Sequence, residues 1–190
     1  MYWQAMDSID PFEALIRDGL AASRDGRGQA ALDLFARASA ALPASGIPHI
    51  LMGAEHAAAG DTAAAEAAFA NAVLLAPEFA LARYQLGLLQ FCSKRPALAL
   101  VTWGPLFSLG PGSSLGHFVR GFAALAQDKL SDVHLHLQAG LACADLNPAV
   151  GGDIRQVIDA VQRLETSPQE RSPQDDASHV LLAAYGRGLH

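Results

Sequence analysis

Apolar and polar residues alternate along the chain at helical spacing, most clearly in the stretch from Ile47 to Pro77. Two apolar segments of helical period meet there at Gly60-Asp61. Glycine readily adopts the left-handed conformation that ends a helix, and aspartate caps the first turn of the next one. The pattern therefore predicts two helices joined by a tight turn, which is a helical hairpin.

The same spacing of small and large residues recurs every 34 positions. In the clearest segment, the chain has Gly53, Ala65, Phe69, Ala72 and Pro77. One period earlier it has Gly19, Ala31, Phe35, Ala38 and Pro43, and one period later it has Gly87, Ala99, Trp103, Leu106 and Pro111. A further step gives Gly121, Val133, Leu137, Gly140 and Asp145, so the glycine is kept while the rest changes. A fixed period of this length predicts stacked helical hairpins.

This register resembles the tetratricopeptide repeat (TPR) family, whose second helix carries alanine, an aromatic residue and alanine before a final proline. The resemblance covers residues from about 12 to 146, with three clear repeats and a weaker fourth. The family has a large residue early in the first helix of each repeat. In this chain the four corresponding positions carry Leu15, His49, Arg83 and His117, which is a departure from the family pattern. The resemblance implies an all-α fold, a right-handed superhelical solenoid of about four helix-turn-helix repeats.

The predicted organisation has three parts. An N-terminal lead covers residues 1–10, and a solenoid with a capping helix covers residues 11–165. The repeats lie at about 12–45, 46–79, 80–113 and 114–147. Apolar positions on one face of residues 153–165 predict a capping helix that shields the apolar end of the stack. Residues 166–190 are expected to form a flexible tail, because serine, proline and charge dominate before the apolar end at Val180–Tyr185.

Residues that begin and end helices set the expected boundaries. Asp10-Pro11 is expected to start the first helix, because Asp caps and Pro suits the first helical position. Gly110-Pro111-Gly112 is expected to end the helix that carries Trp103. Asn147-Pro148 is expected to end the second helix of the fourth hairpin.

Composition narrows the functional classes. The 190 residues are 51% hydrophobic and 17% charged, with a net charge of −6, which argues against a nucleic-acid partner. No apolar run reaches the roughly 18 residues of a membrane span, and residues 1–7 lack the positive start of a signal peptide. A cytoplasmic location is therefore expected. Cys92 and Cys143 are expected to be reduced, because two isolated thiols do not make a disulfide framework.

Candidate catalytic and metal-binding residues do not form a recognisable site. His134 and His136 point to different sides of a helix, whereas zinc ligands on one helix lie three or four residues apart. His49 and His56 share a helix face but have no carboxylate or cysteine at matching spacing. No nucleophile elbow, phosphate-binding loop or Cys-x-x-Cys motif occurs. The sequence therefore predicts neither an enzyme nor a bound metal or cofactor.

The TPR resemblance assigns the first helix of each hairpin to the concave groove of the solenoid. The places carried over are Glu13, Ile16, Leu20, Ser23, Arg24, Ile47, Ile50, Ala54, Ala57, Ala58, Leu81, Tyr84, Leu88, Phe91, Cys92, Leu115, Phe118, Phe122, Leu125 and Ala126. The partner-binding residues proposed from them are Ile16, Leu20, Ile50, Leu81, Tyr84, Leu88, Phe91, Leu115, Phe118, Phe122 and Leu125. The last eight, from the third and fourth repeats, would form an apolar wall. Such a wall marks a partner site unless the capping helix or the tail covers it, or it is simply core.

The resemblance also indicates which partner is expected. Family members that clamp a C-terminal carboxylate use Lys, Asn and Arg at places that are Ile16, Leu20, Ala54, Leu81 and Gln85 here. An apolar groove instead suits an amphipathic helix or an extended apolar segment. The leading hypothesis is a non-enzymatic adaptor, scaffold or chaperone. The alternatives are a bacterial secretion-system accessory chaperone and a regulatory subunit that positions a catalytic partner. Self-association and occupation of the groove by the tail are further alternatives.

Overall fold

The computed structural model describes residues 10–166, and within that range the chain is helical and has no strand. The α-helices are α1 (Pro11–Arg24), α2 (Gly28–Ala41), α3 (Ile47–Ala58), α4 (Thr62–Leu75), α5 (Ala80–Cys92), α6 (Pro96–Thr102), α7 (Ser114–Leu125), α8 (Leu130–Leu141) and α9 (Pro148–Thr166). A short 3-10 helix, Gly104–Ser108, follows α6. The prediction of an all-α fold built from helical pairs is confirmed. Apart from residues 10 and 166, the predicted lead and tail lie outside the described residues.

The residue contacts divide the chain into a first unit, Met1–Glu78, and a second unit, Phe79–His190. In the first unit α1 packs on α2 and α3 on α4, with α2 against α3. In the second unit α5 packs on α6 and α7 on α8, and α9 packs on α8. The boundary falls between the second and third predicted repeats. Within each unit the helix pairs pack as in a helical repeat solenoid.

Close contact between a glycine and a large residue explains the period of 34. A Cβ added at Gly53 would lie 2.7 Å from Cδ1 of Phe69, and one at Gly121 would lie 2.6 Å from Cδ2 of Leu137. Gly19 faces Phe35 and Gly87 faces Trp103 in the same way. A side chain at any of these glycines would overlap the large residue of the facing helix. The repeated spacing therefore records one helix contact made four times.

The turns inside the hairpins follow the expected chemistry. Gly60 has φ of 77°, and the Asp61 carboxylate accepts a hydrogen bond from the Ala64 amide at 3.0 Å at the start of α4. Lys94 and Asp128 occupy the corresponding left-handed positions, with φ of 61° and 56°, in the third and fourth hairpins. The Gly60-Asp61 turn is thus confirmed, and Lys94 lies within the turn that the sequence predicts at Ser93-Lys94-Arg95-Pro96.

The helix that carries Trp103 is shorter than predicted. Instead of continuing to Gly110-Pro111-Gly112, α6 ends at Thr102 and the chain tightens into the 3-10 helix. Pro105 explains the break, because proline has no amide hydrogen and its ring clashes with the carbonyl four residues earlier in an α-helix. Trp103 is nevertheless fully buried, and its indole Nε1 donates a hydrogen bond to the Tyr84 carbonyl at 3.0 Å.

The capping helix is longer than the predicted residues 153–165. It is α9, which begins at Pro148, and the Asn147 Oδ1 accepts hydrogen bonds from the amides of Ala149 at 3.0 Å and Val150 at 3.4 Å. Asn147-Pro148 therefore starts α9, and the prediction that it ends α8 is wrong. That helix already ends at Leu141. Proline at the first helical position after an Asn cap is a favoured helix start.

Each unit has its own hydrophobic core. In the first unit, Ala22, Ala31 and Phe35 are buried between α1 and α2, with Ile16 and Leu20 packed at the edge. In the second unit one larger core joins α5, α6, the 3-10 helix, α7, α8 and α9. None of the described helices is long and apolar enough to cross a membrane.

Candidate functional site

An open groove lies on the first unit between α1 and the start of α3, and we call it the α1–α3 groove. It is lined by Phe12, Glu13, Ile16, Arg17, Leu20, Arg24 and Ile47 and has a volume of about 380 Å³. Six of these residues form a stripe along α1, because positions three and four apart share one helix face. Five of the seven are places that the TPR resemblance assigned to the concave surface. These five predicted places therefore lie at an open groove in the structure.

The start of α1 is fixed by its own cap. The Asp10 carboxylate accepts a hydrogen bond from the Phe12 amide at 3.0 Å, and Pro11 occupies the first helical position. An aspartate cap satisfies an amide that would otherwise lack a partner within the helix. This cap sets where the stripe begins, so that Phe12 and Glu13 lie at one end of the groove and Arg24 at the other.

The opposite side of the groove depends on how α3 enters the unit. Gly46 is buried, and a Cβ there would lie 3.1 Å from the Ala72 carbonyl oxygen and 3.1 Å from the Ala76 Cβ. This close approach to the end of α4 holds the start of α3 in place. Ile47, the first residue of α3, consequently lies at the groove with 48% of its surface exposed.

A polar link joins the C-terminal parts of α1 and α3. The Ser23 hydroxyl donates a hydrogen bond to the Glu55 carboxylate, which connects α1 to α3 beside the stripe. On another side of α3, His49 Nε2 lies 3.2 Å from the Ser39 hydroxyl of α2. Burial lowers the pKa of His49 below its ordinary value of 6.5, so the imidazole is favoured in its neutral form. These contacts connect three helices of the first unit.

The groove combines an apolar floor with a charged rim. Phe12, Ile16, Leu20 and Ile47 supply the floor, and Ile16 and Leu20 are only half-buried there. Arg17 forms an exposed ion pair with Asp18 at 3.0 Å, and Arg24 donates from Nε to the Leu20 carbonyl at 3.2 Å. Exposed ion pairs of this kind contribute little stability and exchange easily with another carboxylate. The arrangement therefore suits an apolar segment that carries an acidic group.

The aromatic wall predicted in the second unit is not exposed. Tyr84, Phe91, Phe118 and Phe122 have at most 1% of their surface accessible, and Leu88 and Leu125 are also buried, at 5% and 2%. The prediction that these six residues line an open groove is therefore wrong in this structure. They belong to the hydrophobic core of the second unit, and any contact with a partner would first require that core to open.

The burial has a clear physical cause. The ring of Trp103 packs with those of Tyr84, Phe91 and Phe122, with centroid distances of 6.4, 5.8 and 5.6 Å. The core also contains the apolar face of α9, namely Val150, Ile154, Val157, Ile158 and Val161. This packing agrees with both alternatives in which the wall is not a partner site, because the wall lies in the core and the predicted capping helix, α9, contributes an apolar face to that core.

The three remaining predicted site residues are neither fully buried nor fully exposed. Leu81 and Leu115 are half-buried and pack against the core of the second unit. Ile50 is half-buried on α3 and is not part of the groove lining. Of the proposed partner-binding set, only Ile16 and Leu20 line the groove.

Sequence reasoning missed Phe12 and Arg17 as site residues. Phe12 lies four residues before Ile16 and Arg17 lies four after Glu13, so both belong to the stripe by simple helical spacing. The family places include Glu13 and Arg24 but neither Phe12 nor Arg17. A search for apolar and charged residues at intervals of three and four along α1 would have found them.

A pair of histidines in the second unit is the next polar cluster. The rings of His117 and His136 lie 6.0 Å apart, and His117 Nε2 lies 2.9 Å from the Pro111 carbonyl oxygen. Burial and the nearby charges of His117 and Arg120 lower the pKa of His136, partly opposed by Asp132. Arg120 is held by the carbonyls of Phe107 and Leu109. Within residues 10–166 no group of three His, Cys, Asp or Glu side chains is placed to hold a metal ion.

The two cysteines are free thiols. Burial raises the pKa of the Cys92 thiol to about 12, so this cysteine stays protonated at neutral pH. A protonated, buried thiol is neither a good nucleophile nor a good metal ligand. Cys143 is half-buried just after α8, and its Sγ lies 3.4 Å from the Ala139 carbonyl of that helix. Their packing is that of small apolar residues.

Comparison with known proteins supports the fold. No protein-family model matches the chain, and no curated protein matches its sequence. Among solved structures the chain is similar to the one titled "MamA RS-1 ArsTM double mutant", with a TM-score of 0.59 and 19% sequence identity. The match covers 95% of this chain and 93% of that chain. At this identity the likeness shows the fold alone, and it supports a TPR-like helical fold.

Proposed function

We propose that this protein is a non-enzymatic interaction module that binds an apolar segment of a partner protein in the α1–α3 groove. The observation that carries the proposal is the stripe on α1, where half-buried aliphatic side chains face an open space bordered by two arginines. Side chains of this kind are unfavourable in water and gain free energy when an apolar partner covers them. The TPR-like fold is consistent with a protein-binding role.

The chemistry of the rim defines the partner segment more closely. Arg17 and Arg24 both border the groove, whereas Glu13 is the one acidic residue that lines it. A partner segment with apolar side chains at helical or alternating spacing and a carboxylate beside them would satisfy both floor and rim. An adaptor, a scaffold and a chaperone all use such contacts, and the groove favours none of the three over the others.

The test is binding of a labelled peptide to the full chain. The probe is an amphipathic peptide with leucine at i, i+4 and i+7 and an aspartate on either side, measured by fluorescence anisotropy against a scrambled peptide of equal composition. We expect the ordered peptide to bind more tightly. Substitution Ile47→Glu introduces a charge into the groove floor, and acidic residues in the first turn of a helix are favourable, so α3 should tolerate it. Affinity should fall about tenfold, which corresponds to about 1.4 kcal/mol.

Leu74→Glu is the matched control. Leu74 is 77% exposed, lies in the same unit on α4 and does not line the groove. Introducing the same charge there should leave peptide affinity unchanged. Equal loss of affinity in the two variants, or equal binding of the ordered and scrambled peptides, would overturn the proposal.

A further inference from the structure

We propose that the chain's own N-terminal segment, residues 1–9, occupies the α1–α3 groove and competes with the partner. This inference deepens the proposed function and uses the same groove. The segment reads Met-Tyr-Trp-Gln-Ala-Met-Asp-Ser-Ile and continues directly into Asp10 and Pro11. The groove begins two residues further on, at Phe12. Site and candidate occupant are thus adjacent in sequence.

The composition of the segment complements the groove. Tyr2, Trp3, Met6 and Ile9 recur at intervals of one, three and three, and Asp7 is its only acidic side chain. Large apolar side chains match a floor of Phe12, Ile16, Leu20 and Ile47. Tryptophan and tyrosine rings also stack favourably on guanidinium groups, which Arg17 and Arg24 present at the rim. The segment therefore supplies both chemical features that the groove would recognise.

The lengths are compatible. The stripe from Phe12 to Arg24 covers twelve residue steps of α-helix, about 18 Å. A nine-residue segment spans at most about 30 Å when extended, so after reversing direction beside Asp10 it can reach past Leu20. A ligand joined to its site by so short a connection is present at an effective concentration of about 1 mM or more. Weak contacts are then sufficient for occupancy.

Another segment of this chain has apolar character, but its position favours it less. Val180–Tyr185 follows the end of α9 at Thr166 by 13 intervening residues in the sequence. It is joined to α1 only through the whole described chain, whereas the N-terminal segment is joined to α1 directly by Asp10 and Pro11. The N-terminal segment is therefore the occupant to which the proposal commits.

Tryptophan fluorescence reads out the occupant directly. The chain has two tryptophans, and Trp103 is fully buried in the second unit. The difference between the emission of the full chain and that of Trp3→Phe isolates Trp3 without altering a core residue. We expect the Trp3 emission to be blue-shifted and its quenching by acrylamide to be several-fold weaker than in a synthetic peptide of residues 1–9. Emission and quenching equal to those of the free peptide would overturn the proposal.

Groove variants establish where Trp3 lies. Ile47→Glu should restore quenching of Trp3 to the level of the free peptide, and Leu74→Glu should not. Arg24→Glu is a second groove variant, on an exposed residue of α1. It should restore the quenching of Trp3 in part, because it removes the guanidinium group on which an aromatic ring would stack. Far-ultraviolet circular dichroism confirms that each variant remains folded. Shielding that survives both groove variants would contradict the proposed location.

Dilution separates the chain's own segment from that of a neighbouring copy. Shielding within one chain is independent of protein concentration, so about a hundredfold dilution should leave it unchanged. Shielding lost on dilution would show that the segment comes from a second copy and would overturn the proposal as stated.

The peptide assay of the proposed function then gives an independent result. In the full chain, Trp3→Ser should raise the affinity of the amphipathic probe about tenfold, because it removes a competitor held near its site. If Trp3 is shielded in the groove but the probe binds neither chain, the inference holds and the proposed function fails. If the probe binds the groove while acrylamide quenches Trp3 as strongly as in the free peptide, the proposed function holds and the inference fails.

Discussion

The two units place apolar residues at equivalent repeat positions, but the pair Ile16 and Leu20 is accessible in the first unit whereas the equivalent pair, Phe118 and Phe122, is buried in the second. Ile16 and Leu20 of α1 are half-buried beside an open groove, whereas Phe118 and Phe122 of α7 are buried in a core. The second unit differs in two respects: its residues are large aromatics that pack on Trp103, and α9 adds an apolar face to the same core. Apolar residues at the concave positions therefore do not by themselves identify a binding surface.

The largest expected effect comes from Phe122. Phe122→Ala removes a ring that packs on Phe91 and Trp103, with centroids 5.6 Å away in each case, and should lower the free energy of unfolding by about 3 to 5 kcal/mol. Ile47→Ala should change it by less than about 0.5 kcal/mol, because Ile47 lies at an exposed groove. Urea denaturation followed by circular dichroism measures both. Similar losses for the two would remove the distinction between core and groove.

The next effect tests the glycine contact that repeats every 34 residues. Gly53→Ala places a Cβ 2.7 Å from the Phe69 ring and should destabilise the first unit by about 1 to 3 kcal/mol. Gly152→Ala in α9 is the matched control, because nothing lies within 4 Å of the added Cβ. It should stabilise the second unit by about 0.5 to 1 kcal/mol, since alanine favours helix over glycine. Changes of the same sign in both variants would contradict this account.

A smaller effect is expected at the cap of α1. Asp10→Ala removes the carboxylate that accepts from the Phe12 amide and should cost about 1 kcal/mol of stability. Asp10→Asn keeps a cap of similar quality and should cost much less. Because Phe12 lies at the end of the groove, hydrogen exchange of the first turn of α1 should increase in the alanine variant. Unchanged exchange there would show that the cap does not hold this end of the groove.

The smallest expected effect is a change of stability with pH. It comes from two histidines, one in each unit. Burial lowers the folded-state pKa of both His49 and His136 below 6.5. As the pH falls through 6.5 the unfolded chain therefore takes up a proton before the folded chain does. The stability contributed by the neutral imidazoles is complete above 6.5 and is lost as the pH falls toward the lowered folded-state pKa.

Substitution with glutamine, which does not titrate, checks this sign. Denaturation at about pH 7.5 and pH 5 should show a smaller loss on acidification for His49→Gln than for the unsubstituted chain. Glutamine can also retain a hydrogen bond with Ser39, so the comparison at the higher pH should be close. A larger loss of stability on acidification for His49→Gln than for the unsubstituted chain would contradict a lowered pKa of His49 in the folded state.

The sequence predicts the hairpins well because their contacts are local and repeated. Gly53 and Phe69 belong to one hairpin, and their spacing appears four times along the chain. Pro105 is a local signal for the break of α6, whereas the prediction of a helix up to Gly110 rests on the aromatic register around Trp103. The start of α9 at Pro148 was missed because Asn147-Pro148 reads equally well as the end of one helix or the start of the next.

The groove was only partly predictable. Helical spacing and the TPR resemblance predict which face of α1 takes part in binding, and the structure has an open groove along that face. The burial of Phe118 and Phe122 could not be predicted from the repeat, because it depends on how α9 and Trp103 fill the core of the second unit. Whether the apolar face of a repeat helix is exposed or buried depends on a helix outside the repeat, here α9. The period of the repeat carries no information about that packing.

Photo-crosslinking tests the central claim most directly, because it maps where an apolar partner touches the chain. The amphipathic probe would carry a diazirine on one leucine position, and the crosslinked residues of the full chain would be read by mass spectrometry. The account predicts crosslinks to Phe12, Ile16, Leu20 and Ile47, with loss in Ile47→Glu and retention in Leu74→Glu. Crosslinks concentrated on Phe91, Phe118 or Phe122 would contradict it and would identify the second unit as the binding surface.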